Sequence, residues 1–179
     1  MAVISGGDKL TKALAQIASK AKGNLKVGFF SNEKYPDTGA SVAQVAFWNE
    51  YGHGGNFPSP PRPFFRSMIA AESGTWAPKL AAQLSGNGGD GKRALSALGE
   101  DIAGALQDSI QSFNEVPLSD TTLMLRKHYW TNRDEINKTA VLDAQQRVRD
   151  GEVGATGEQA KPLVWTGQLL RDVEFEVSE

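Results

Sequence analysis

The sequence predicts an α+β fold: a small, mostly antiparallel sheet packed with several amphipathic helices. Two observations predict it. Over most of the chain, apolar residues recur at steps of three and four, the spacing of one helix face. Two short runs, 24–30 and 173–178, instead alternate apolar with polar or small residues, as half-buried strands do, and they bracket the chain. One sheet with helices packed on a face buries both kinds of apolar surface together.

The elements follow in order. Residues 8–21 carry Leu10, Ala13, Leu14, Ile17, Ala18 and Ala21 on one stripe, with Asp8 placed as N-cap and Gly23 just past the end. Over 24–30, Leu25, Val27 and Phe29 alternate with Lys26, Gly28 and Phe30. Tyr35-Pro36-Asp37-Thr38-Gly39 has turn chemistry. Ser41 is placed to cap a second helix in which Val42, Val45, Ala46 and Asn49 share a face. Gly52 stops that helix, because glycine enters left-handed backbone without a Cβ clash. Prolines at 58, 60, 61 and 63 hold the following loop extended. Pro63 then opens a third helix as its first residue, where a missing N–H loses nothing. Phe64, Phe65, Met68 and Ile69 form its apolar side, and Trp76, Leu80 and Leu84 continue it beyond a break near Gly74.

The second half begins with a Gly/Asn hinge at 85–91. Residues 92–115 give the strongest helix signal, with Leu95, Leu98, Ile102, Leu106, Ile110 and Phe113 at helical spacing and Pro117 as the stop. Residues 118–130 fit two readings: a short helix capped by Ser119 or Asp120, or a strand in which Leu123 and Leu125 alternate. That segment or the loop 31–39 would supply any further strand. Residues 134–149 read as a charged helix carrying Ile136, Val141, Ala144 and Val148. A glycine-rich, mobile loop is expected over 151–161. Thr166 caps a short turn through Gln168, Leu169 and Leu170, and the chain closes with Val173, Phe175 and Val177 inward and Glu174, Glu176 and Ser178 outward.

Composition narrows the function. With 179 residues, 40% hydrophobic and 22% charged, the chain fits a single domain spanning 1–179. A formal net charge of −2 lacks the basic footprint of a protein held mainly by nucleic-acid phosphates, yet it suits a wall past which DNA slides. The absence of cysteine excludes disulfides, thiolate metal sites and cysteine nucleophiles. The start, Met1-Ala2-Val3-Ile4-Ser5-Gly6-Gly7, has no signal-peptide pattern, and no apolar stretch reaches the roughly 18–20 residues that cross a bilayer. A protein made and used in the cytosol, or packaged from it, is expected, with no membrane partner.

No catalytic constellation emerges. His53 and His128 are the only histidines, and neither has acidic partners at ligand spacing. No serine sits in a Gly-x-Ser-x-Gly setting. The glycines at 86–91 are no phosphate loop, since Arg93 stands where serine or threonine is required. Glu100-Asp101 and Asp134-Glu135 fall on polar helix faces. Arg126, Lys127, Arg133, Lys138, Arg147 and Arg149 form either a solvated basic face or a surface meeting an acidic neighbour or lining a DNA channel. No enzyme activity, metal or cofactor is expected.

The informative region is Trp48-Asn49-Glu50-Tyr51-Gly52-His53 followed by Pro60-Pro61-Arg62-Pro63-Phe64-Phe65-Arg66. It is a helix stop, a stiff loop and an aromatic anchor between arginines. Glu50 lies at the negative end of its helix macrodipole, where a carboxylate wants a cationic partner. Arg62 or Arg66 is nearest in sequence, so a Glu50–arginine salt bridge orienting the loop is expected. Adjacent Phe64 and Phe65 point about 100° apart on a helix. One therefore enters the core, and the other, flanked by arginine, has the composition of an interface hot spot. A proline-fixed loop also loses little entropy on docking. The candidate assembly residues are Glu50, Tyr51, Gly52, Arg62, Phe64, Phe65, Arg66 and Trp165.

Three motifs in order resemble those of one known family. They are Val42-Ala43-Gln44-Val45-Ala46 with Asn49-Glu50-Tyr51-Gly52 and Pro61-Arg62-Pro63-Phe64-Phe65-Arg66; Pro117-Leu118-Ser119-Asp120-Thr121-Thr122-Leu123-Met124-Leu125-Arg126-Lys127; and Lys161-Pro162-Leu163-Val164-Trp165-Thr166-Gly167-Gln168-Leu169. The pattern resembles the tail-completion, or head–tail joining, family of tailed bacteriophages, also described as neck, virion morphogenesis or minor tail proteins. The hinge at 85–91 and a segment near 128–160 depart from it, the latter as an insertion before the closing motif. The resemblance implies a structural α+β subunit of the virion neck, assembled in the host cytoplasm. It implies a homo-oligomeric ring, expected to be a hexamer, that completes the tail and joins it to the head connector. Expected neighbours are the tail tube or tail terminator protein and the head–tail connector or adaptor proteins, with DNA passing through the lumen without specific binding. The alternatives are a tail terminator that caps the tube, a virion-associated hydrolase and a nucleic-acid-binding accessory protein.

Overall fold

The computed structural model describes residues 23–30, 33–36, 38–55 and 58–178; the helix expected over 8–21 lies outside them. Among the described residues the chain is mostly helical, with one two-stranded antiparallel sheet, so the class is α+β. The elements are β1 (Asn24–Gly28), α1 (Val42–Tyr51), α2 (Phe64–Gly86), α3 (Gly91–Ser112), α4 (Asp120–His128), α5 (Lys138–Arg149), α6 (Gln168–Arg171) and β2 (Glu174–Ser178). Boundaries after Gly28, Met68, Ala105 and Val173 divide the described residues into two compact units, the first holding both strands and residues 69–105, the second the described residues of 29–68 and 106–173. The divisions fall within α2 and α3, and the segment 85–91 lies inside the first unit.

In the first unit the two alternating runs find each other. Leu25 pairs with Val177, Lys26 with Glu176 and Val27 with Phe175. The period of two puts the apolar partners on one face and leaves Lys26 and Glu176 exposed opposite one another, 3.9 Å apart. Leu95, Leu98 and Ile102 of α3 are buried. Gly99 permits a close approach of α3 to the sheet: a Cβ there would lie 2.5 Å from Phe175 Cδ2 and 2.9 Å from Leu25 Cδ1. The turn before α3 uses left-handed glycines, Gly88 (φ 64°) and Gly89 (φ 81°), and Asp90 Oδ1 accepts from Arg93 N (3.1 Å).

The break expected near Gly74 is absent, and α2 runs unbroken from Phe64 through Gly74 and Pro78 to Gly86. Glycine's cost in a helix is entropic, about 1 kcal/mol, and imposes no bend.

The second unit is built around Val42, Phe64, Leu106, Ile110 and Met124, each at most 1% exposed. The ambiguity over 118–130 resolves as helix. Ser119 Oγ accepts from Thr122 N (3.2 Å), an N-cap bond available only to helical backbone. Neither that segment nor the described residues of 31–39 supply a strand; Lys34 and Ser41 form only an isolated bridge. Asn137 Oδ1 caps α5 through Ala140 N (3.1 Å), and the residues before it form a separate single turn, Arg133–Glu135.

The loop over 151–161, expected to be mobile, is pinned. Ala155 N donates to Leu123 O (2.9 Å), Lys127 Nζ to Val153 O (2.8 Å), and Arg126 Nη1 to Gln159 O and Lys161 O. Gly154 passes so close to α4 that a Cβ would meet Leu123 Cβ at 2.7 Å. Long-range bonds of this kind leave no trace in local composition.

Candidate functional site

The corner between α1 and α2 is where the predicted residues converge. Gly52 ends α1 at φ 73°, a left-handed value that glycine enters freely. A Cβ there would lie 2.7 Å from Ser59 O and 2.9 Å from Pro61 N, so the loop folds tightly back over the helix end. A bridge between His53 and Ser59 (3.1 and 2.9 Å) closes the loop, and Arg62 N donates to Asn49 O (2.7 Å).

Pro63 stands immediately before α2 and its carbonyl accepts from Ser67 N (3.0 Å), so it occupies the cap position rather than the first helical one. Proline has no side-chain acceptor with which to cap. Glu50 supplies the missing acceptor from the neighbouring helix: Oε2 accepts from Phe65 N (2.9 Å) and Oε1 from Arg66 N (3.1 Å). Those are the N–H groups that an ordinary cap side chain satisfies. Phe64 N donates to Arg62 O (2.8 Å), so each N–H of the first turn is accounted for.

Arg66 Nε also donates to Glu50 Oε1 (2.7 Å), and Arg66 Nη2 donates to Glu50 O (3.1 Å) at the carbonyl end of α1. The Glu50 side chain is 7% exposed and that of Arg66 51%. The unfavourable dipole of α1 is thus opposed by the favourable N-terminus of α2 and by direct bonds. The expected Glu50–arginine bridge exists, and its partner is Arg66. Arg62 turns inward instead, donating from Nε to Val116 O (3.3 Å) and from Nη1 to Ser59 Oγ (2.9 Å). Burial lowers its pKa from the ordinary arginine value.

Three candidate assembly residues are therefore interior. Glu50, Arg62 and Phe64 are 5%, 6% and 1% exposed, and a buried side chain has no surface to give a neighbour. Phe65 is half-buried, with its ring edge-to-face against Phe64 (6.4 Å). Gly52 is half-buried beneath the loop. Tyr51 and Arg66 are exposed, and the Arg66 guanidinium lies 4.7 Å from the centre of the Tyr51 ring.

The structure adds Phe47, which lies outside the motifs, to the Trp48 that opens the informative region. Phe47, 58% exposed, lies one helical turn before Tyr51, 51% exposed, with ring centroids 4.7 Å apart. Trp48 is also exposed and meets His53 edge-on (5.9 Å). The available signal was α1 itself: Val42 and Ala46 use up its buried side, so Phe47 and Tyr51, four apart, must lie elsewhere.

Trp165 does not join this patch. It is half-buried, donates from Nε1 to Trp130 O (3.4 Å), and has the Arg126 guanidinium 5.0 Å from its ring centre. Arg126, assigned from sequence to a basic surface, is 3% exposed. It sits among the carbonyls of Gln159, Lys161 and Pro162. No membrane-length apolar helix and no cluster of three metal-binding side chains occurs among the described residues. Comparison with protein-family models, curated protein sequences and solved structures finds no match.

Proposed function

We propose that this chain is a structural subunit of a tailed-phage neck, working by complementary burial against copies of itself and other virion parts. The observation that carries the reading is α1, which has apolar residues on both sides. Val42 and Ala46 fill the core, while Phe47, Trp48 and Tyr51 are left to solvent. A helix apolar all round is normally a buried one, and exposed aromatics beside an arginine have the composition of an interface hot spot. The patch stands on a stiff base, because the Glu50 cap and Gly52 fix its backbone, so docking orders little more of the chain. The three sequence motifs in order support the tail-completion assignment within that class.

In this reading the ring is a hexamer joining tail to head connector, with DNA passing through its lumen. A ring closes when one heterologous contact repeats with a closing rotation. Native mass measurement of the purified chain, alone and with tail-tube protein, tests it. A closed oligomer is expected. A chain that stays monomeric in both conditions overturns the assembly reading, and absence from the head–tail junction in particle reconstructions overturns the neck assignment.

A further inference from the structure

The sheet of the first unit has two open edges. Among the described residues β1 and β2 pair only with each other. In an antiparallel pair, alternate residues turn their N–H and C=O groups to the partner strand, and the others turn them outward. Each strand therefore presents a row of backbone donors and acceptors that a third strand can take up. The apolar face is incompletely covered as well. Leu25, Val27, Phe175 and Val177 are only partly buried, although α3 comes close at Gly99. A two-stranded ribbon is a marginal unit, and further strands stabilise it.

Charge decides which strand fits. On the solvent face β1 carries Lys26, while β2 carries Glu174 and Glu176, all exposed. Lys26 stands opposite Glu176 at 3.9 Å, and Glu174 stands opposite Gly28, without a cross-strand cation. Opposite charges on adjacent strands attract, and like charges directly opposite repel. Setting β2 beside the β2 of a second copy brings glutamates against glutamates. Setting β1 beside β1 brings lysine against lysine. Setting β1 of a second copy beside β2 gives the glutamates a further lysine.

We propose that copies of this chain join edge to edge, β2 of one beside β1 of the next, in a continued antiparallel sheet. The contact joins two different surfaces, so it is heterologous and repeats around a ring when the rotation closes. This inference rests on the self-assembly reading and adds to it a contact that uses none of the α1 residues.

The test is disulfide cross-linking, for which the chain is suited because it has no cysteine of its own. The full-length variants are Lys26→Cys, Glu174→Cys and Glu176→Cys. The Lys26 and Glu176 side chains are 65% and 56% exposed, so these changes should hardly move the melting temperature. Lys26→Cys is mixed with either glutamate variant before assembly, under the conditions that give an oligomer in native mass measurement, and oxidised with diamide. Like positions of successive copies lie two strand spacings apart, roughly 9–10 Å, too far for a disulfide. Linked dimers should therefore be at least about tenfold more abundant in one of the mixtures than in any variant alone. An oligomer that gives no mixed cross-link, or that cross-links equally in a single variant, overturns this inference and leaves assembly through α1 standing. A chain that forms no oligomer overturns both.

Discussion

Glu50 serves two helices with one carboxylate. It ends α1 and caps α2, where Pro63 offers no side-chain acceptor. Replacing Glu50 with glutamine keeps the shape but turns a charged double acceptor into an amide with one donor end. Equilibrium urea unfolding should show a loss of about 1–3 kcal/mol. Arg66→Ala should cost under about 1 kcal/mol, because that side chain is half solvated. If the two variants were equally stable, the cap would not be the main role of Glu50. Arg126→Met removes a buried charge but orphans three carbonyls, and a net loss of roughly 2–4 kcal/mol is expected in the same measurement. The sign with pH is the reverse of a salt bridge. The folded-state pKa of Arg126 is about 10, below the ordinary arginine value, so the unfolded chain binds more protons above pH 10. Its unfavourable contribution is complete below that pH and is relieved as pH rises beyond it.

At the scale of elements, glycines mark where backbones come too close for a side chain. Gly52→Ala would force a Cβ to 2.7 Å from Ser59 O at a left-handed φ. Gly99→Ala would press one into Phe175 and Leu25, where α3 meets the sheet. Each should cost about 1–3 kcal/mol by thermal or denaturant melting, whereas Gly104→Ala, with open space at its Cβ and helical backbone, should be neutral or slightly stabilising. Much of this level was legible in the sequence. The stop at Gly52 and both strands follow from local chemistry and periodicity, whereas 118–130 fits helix and strand alike until the Ser119 cap of α4 decides it. The continuity of α2 through Gly74 was not legible, because propensity assigns glycine a cost without saying whether neighbouring turns absorb it. The pinned loop over 151–161 was not legible either, since its partners lie on α4.

For the whole molecule, the aromatic patch on α1 and the proposed ring stand or fall together. Phe47→Asp adds a charge where the side chain is 58% exposed, so the melting temperature of the separate chain should hardly move. The same variant should abolish assembly in native mass spectrometry or sedimentation. Unchanged assembly would remove α1 from the interface and leave the neck proposal without its structural support. Tyr51→Ser is the milder companion: it also removes the Arg66 stacking and should cost roughly 0.5–1 kcal/mol of stability.

By itself the sequence determined what a few neighbouring residues decide: the α+β class, the strand alternation, most helix faces, and the helix–loop–helix corner as the place of interest. It also placed an arginine on Glu50. Only the tertiary structure decided that the arginine is Arg66, that Arg62 and Arg126 point inward to carbonyls, and that Phe47 rather than Phe64 meets solvent. Periodicity and capping act over one or two turns, so a short window of residues expresses them. A hydrogen bond is settled within about 3 Å, and which of two cations closes that distance depends on the packing of segments far apart in the chain.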